Sequence, residues 1–173
     1  MKPIEQDIID FADDFFFHLS HNQVNERMAE FSKKQEFLCR YLSRTSMDMS
    51  GDEPRDILLR LLLVFDHCYN SYHVKINLLS LNSLKEYMDW QSERLDFAEN
   101  KTKGILEVNI VEYINIIGEM GQDSLLNYLQ NKIGICMDKK LFTENDKISC
   151  ILDMMMVGFL YQQEIKKQFN DVN

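Results

Sequence analysis

The chain has 173 residues, 45% of them hydrophobic and 27% charged, with a formal net charge of −9. That length and balance suit one globular domain with its own core and exclude wholesale disorder, while the acidic surplus argues against non-specific binding to nucleic acid or an anionic membrane surface. With only 6 Gly and 2 Pro, breakers are too scarce for a turn-rich β fold. The expectation is an all-α, compact bundle of about six to seven helices around a buried central helix.

Residues 3–19 carry Ile4, Ile8, Phe11, Phe15 and Leu19 at helical spacing, with Asp7, Asp10 and Asp14 turned away. This is an amphipathic helix whose early acids suit its N-terminus. Phe15, Phe16 and Phe17 cannot all face one core, because successive helical residues are about 100° apart. At least one phenylalanine needs a second neighbour or a partner molecule.

A second helix is expected after Ser20-His21-Asn22, with Val24, Met28, Phe31, Gln35, Leu38 and Leu42 forming a short heptad seam in which Gln35 is the polar member. Residues 1–46 therefore read as an N-terminal hairpin, an acidic helix folded against one richer in Arg and Lys. Thr45 to Asp52 is the best linker candidate, and 52–173 reads as the main bundle of the same 1–173 domain.

The central helix is expected at Asp56 to Phe65, where Ile57, Leu58, Leu59, Leu61, Leu62, Leu63, Val64 and Phe65 point in every direction. Only an element surrounded by others tolerates that pattern. Ser50 or Asp52 is the expected cap, with Pro54 in the first turn, where its missing N–H costs little. The helix can run on through His73 to Leu81.

Ser83-Leu84-Lys85-Glu86 has the form of a capping box opening a helix with Leu84, Tyr87, Met88, Leu95 and Ala98 on one side. Within residues 105–120, Val108, Ile110, Val111, Ile114, Ile116 and Ile117 are β-branched, yet Glu112, Asn115 and Glu119 recur at helical spacing, and the segment reads as a helix. Gln122-Asp123-Ser124 offers caps for a helix bearing Leu125, Leu126, Leu129 and Ile133. Thr143 to Asp146 resembles a second capping box, opening a final helix with Ile148, Ile151, Leu152, Met155, Phe159, Gln162, Ile165 and Phe169.

Four widely spaced cysteines, Cys39, Cys68, Cys136 and Cys150, form no C-x-x-C pair and read as reduced, buried hydrophobes. The acidic N-terminus lacks the form of a secretory signal, and no apolar run, Met154 to Leu160 included, reaches the length of a membrane span. A cytoplasmic protein is expected.

Chemistry has few places to reside. Asp10, Asp14, His18 and His21, with Asp7, follow one another at steps of three and four, as oxygen and imidazole metal ligands would on one helix face. The same stripe is also the solvated back of an amphipathic helix, and its outward position favours that reading. His67 and His73 lie six residues apart, off a common face, and Cys68 is only a sequence neighbour of His67. No H-E-x-x-H, G-x-S-x-G, phosphate loop, dinucleotide fingerprint or Glu-x-x-His pair occurs. No catalytic residue, resident metal or cofactor is therefore assigned.

Ten Met serve as core filler or as the lining of an adaptable pocket. Phe16, Phe17 and Trp90 are the expected interface anchors. The leading expectation is a non-enzymatic, acidic interaction or regulatory protein, an adaptor, inhibitor or antitoxin-like chain, whose partner is another protein or itself. The alternatives are a small-molecule-binding bundle with a Met and aromatic-lined pocket, and a metal-dependent enzyme using the Asp and His face.

Overall fold

The computed structural model describes residues 3–71, 79, 81–89 and 122–170, apart from the side chains of residues 45, 169 and 170. The expectations for His73, Trp90, residues 105–120 and Phe169 lie outside the described residues. The described elements are all helical: α1 (Gln6–Phe17), α2 (His21–Lys34), α3 (Glu36–Thr45), a 3-10 turn (Ser46–Asp48), α4 (Asp52–Asn70), α5 (residues 81–89), α6 (Asp123–Asp138) and α7 (Glu144–Asn170). The chain is an all-α bundle, as its periodicity predicts. No helix among the described residues is long and apolar enough to cross a membrane.

Two helices form the centre. On α4, Ile57, Leu58 and every residue from Arg60 to Phe65 are buried, and α7 is buried without interruption from Asp153 to Gln162. Such runs exist only where neighbours cover every side, and α1, α2 and α7 all pack on α4. The two meet where Tyr69 stacks on Tyr161, with ring centroids 5.4 Å apart. Gly158 gives them room, since a Cβ there would stand 3.3 Å from the Tyr69 hydroxyl. Met154, Met155 and Met156 are all buried, as core filler.

Around the centre, several expectations shift. The core face of α1 is Ile9, Ala12 and Phe16, not the Ile8, Phe11 and Phe15 stripe, so the helix is rotated relative to the reading from its largest residues. The seam of the second helix is buried at Val24, Phe31, Gln35, Leu38 and Leu42, but it crosses a break. Gln35 leaves helical geometry at φ −135°, ψ 54°, separating α2 from α3. Its Oε1 accepts the Leu79 N–H at 2.9 Å. The polar member of the seam is thus the hinge of the chain path.

Nor do α1 and α2 close into a tight hairpin. Ser20 and Gln23 form a capping box between them, with Ser20 N–H donating to Gln23 Oε1 at 2.8 Å and Gln23 N–H to Ser20 Oγ at 3.4 Å. From there α1 lies on α4 and α6, while α2 lies on α3 and α4.

The caps follow similar logic. Gly51, not Ser50 or Asp52, occupies the N-cap of α4, without a side-chain bond. Ser50 is engaged elsewhere: its N–H and Oγ donate to Asp146 at 2.8 and 2.6 Å. Asp146 closes the expected box with Thr143, whose N–H donates to Asp146 Oδ2 at 2.8 Å while Asp146 N–H donates to Thr143 Oγ1 at 3.2 Å. In α5, residues 81 and 82 are already helical, so Ser83 lies within the helix rather than at its N-cap. Leu84 and Tyr87 are buried there, and Met88 is 57% exposed. Leu125, Leu126, Leu129 and Ile133 face the core as expected, and Gln122 ties α6 to the N-terminus by accepting the Ile4 N–H at 2.8 Å.

Candidate functional site: a phenylalanine-lined groove between α1, α2 and α4

The rotation of α1 is set by buried polar contacts on both of its flanks. From α4, the buried Arg60 donates through Nη1 to the carbonyls of Phe16 and Leu19 at 2.7 and 2.9 Å, satisfying the otherwise orphaned end of the helix. Arg60 also pairs with Asp56, which His21 reaches at 2.9 Å. Burial would raise the Asp56 carboxyl, but hydrogen bonds and charge from Arg60 and His21 outweigh it and hold Asp56 below the usual carboxylate range.

From α6, Tyr128 Oη and Lys132 Nζ both donate to Asp13 Oδ1, at 2.7 and 2.6 Å. Lys132 Nζ also stands 3.6 Å from the Phe17 ring centroid, with the Arg60 guanidinium 6.0 Å from the same ring. These clamps turn Phe16 inward and Phe17 toward α6. Phe11 and Phe15 are left outside, 61% and 40% exposed.

Because α1 and α2 separate beyond Ser20, an open groove of about 540 Å³ runs between them above α4. Phe11 and Phe15 form one wall, stacked with centroids 6.2 Å apart and planes within 10°. Phe16 meets Phe15 edge-on at 5.1 Å, and His67 from α4 lies 5.7 Å from the Phe11 ring. Phe31 and Leu63 complete the apolar lining. The α2 wall is charged: Arg27 sits 5.9 Å over the Phe15 ring and pairs with Glu30 at 3.2 Å, and Lys34 lines the same side.

At one end of the groove lies Asp66, accepting the Tyr161 hydroxyl at 2.5 Å. Burial lifts its carboxyl above the usual range, against the opposing pull of the Tyr161 hydrogen bond, Asn70, Lys34 and His67. A carboxylate held in a cleft at a cost in solvation is the kind of group that marks a binding site.

Phe16 is therefore a core residue at 8% exposure rather than an interface anchor, and Phe17 is half-buried against Lys132. Phe11 and Phe15 take the outward role. The Asp and His stripe does not converge: Asp10 accepts from Gln6 at 2.8 Å, Asp14 and His18 form an exposed pair at 3.2 Å, and His21 turns to Asp56. Among the described residues, no group of three or more His, Cys, Asp or Glu side chains is placed to hold a metal ion.

The cysteines are poor nucleophiles here. Burial pushes the Cys68 thiol up to about 12, and burial with the Asp66 charge pushes Cys39 up to about 11. Between α4, α6 and α7, a cavity lined by Phe65, Tyr69, Met154 and Met155 measures about 20 Å³, room for roughly one water. Comparison of the chain with protein-family models, curated proteins and solved structures finds no match.

Proposed function

We propose that this chain is a non-enzymatic helical interaction protein that seats an apolar segment of a protein partner in the groove between α1, α2 and α4. The observation that carries this reading is the stacked Phe11 and Phe15 pair, left exposed on a helix whose other flank is fully clamped. Aromatic anchors beside a desolvatable floor, with Arg at the rim, are the composition from which interface hot spots are built. Among the described residues the groove lining contains no serine, threonine or cysteine, and the Asp66 carboxyl is engaged by the Tyr161 hydroxyl.

A second reading, a small organic ligand in the same groove, is supported by its volume of about 540 Å³, which falls in the usual range for ligand pockets. Replacing Phe15 by the photocrosslinker p-benzoylphenylalanine in cells of the native source distinguishes the two. The expected result is one discrete protein adduct, absent when the same group replaces Met47, which is 73% exposed and outside the groove lining. Adducts no stronger than at Met47 would overturn protein docking. A small bound mass in native mass spectra, lost in Phe15→Ser, would then carry the second reading.

A further inference from the structure

We propose that the segment seated in the groove is α1 of a second copy of this chain, an inference that rests on the docking reading above. The argument is one of self-complementarity. The groove asks for aromatic side chains, to cover Phe11, Phe15 and Phe31, and for acids, because on the α2 wall Arg27 and Lys34 outnumber Glu30, which pairs with Arg27 alone. α1 presents both. It contains no basic residue, its Asp7, Asp10 and Asp14 are exposed, and it carries the exposed Phe11 and Phe15.

The arrangement of these residues around the helix matters as much as their presence. At about 100° per residue, the three acids occupy one flank of the outer face and the two phenylalanines the other. Phe11 and Phe15 line the groove, so the acids lie on the flank turned away from it. A two-fold axis parallel to α1 reverses that order in the second copy. The second copy's phenylalanines then point toward α1, and its acids point toward α2, where Arg27 and Lys34 stand. The contact is isologous, each copy giving its α1 and its groove, so it closes at a dimer. Each copy carries −9, so encounter is favoured where salt screens the long-range repulsion, and the close charge pairs set the register.

The test is a charge swap read by analytical ultracentrifugation at physiological salt. One variant carries Asp10→Lys and Asp14→Lys; the other carries Arg27→Glu and Lys34→Glu. Wild type is expected to show a concentration-dependent dimer, and each variant alone to self-associate about tenfold more weakly, as like charges now face each other. An equimolar mixture is expected to regain dimer, because both contacts of the mixed pair are again complementary. Circular dichroism melts of the separate variants control for folding. A wild type that stays monomeric at every concentration overturns the second copy as occupant, as does a mixture no tighter than its components. The docking reading fails separately: a Phe15 crosslink to some other protein keeps it while removing the self-contact, and no specific crosslink removes both.

Discussion

Asp66 shows what a single residue contributes at this site. Its folded carboxyl is raised above the unfolded value, chiefly by burial, so the fold favours the protonated form. The stability this confers is fully present below the unfolded carboxyl value of about 3.9 and is lost as pH rises through the folded value. An asparagine keeps an acceptor for the Tyr161 hydroxyl and removes the charge. Asp66→Asn is therefore expected to unfold at pH 7 with equal or greater stability, by up to about 1 kcal/mol, and to match wild type near pH 3. Urea titrations at the two pH values check this; a clear loss at pH 7 would show that the carboxylate is a stabilising member of the core. Legibility at this scale was partial. Three consecutive phenylalanines announce that one is spare, but nothing in Phe15-Phe16-Phe17 says which. That choice is made by Arg60, Asp13 and Lys132, whose contacts span 41 to 119 residues of sequence.

Among elements, the long helix α7 begins at a junction that depends on one side chain. Asp146 accepts from the N–H and hydroxyl of Ser50 and of Thr143, fixing both the start of α7 and the loop before α4. Burial opposes ionisation there, but these hydrogen bonds outweigh it and bring the carboxyl down to about 2. With the folded value below the unfolded one, its stabilisation is present above about pH 4 and disappears as pH falls toward 2. Asp146→Asn is expected to cost about 1–3 kcal/mol at neutral pH. The gap from wild type should close as both are titrated toward pH 2, and a gap unchanged by acid would contradict it. The Thr143 box was readable because it is local; the Ser50 contact, 96 residues away, was not. Likewise the α2–α3 seam was readable, but its break was hidden because Gln35 lies on the seam and the period continues across it. In α1, the small Ala12 concealed the true face, since reading by size selects Phe11 and Phe15.

For the whole molecule, the central helix α4 was legible because a run buried on all sides leaves no polar face, and Asp56 to Phe65 reads that way. The expectation of apolar surface beyond what one core absorbs divides in two. Met154, Met155 and Met156 are sealed inside, whereas Phe11 and Phe15 are not. What the chain could not disclose is the groove, which arises from the separation of α1 and α2, a matter of which helix each packs on. The central claim is that these two phenylalanines are dispensable to the fold and reserved for a partner. Its most direct test is the unfolding free energy of Phe11→Ser/Phe15→Ser beside Phe16→Ala, measured at concentrations where the chain is monomeric. The double variant is expected to lose about 1 kcal/mol, mostly their mutual stacking, and Phe16→Ala about 3–5 kcal/mol. A double variant as destabilised as Phe16→Ala would place Phe11 and Phe15 in the core and contradict the account.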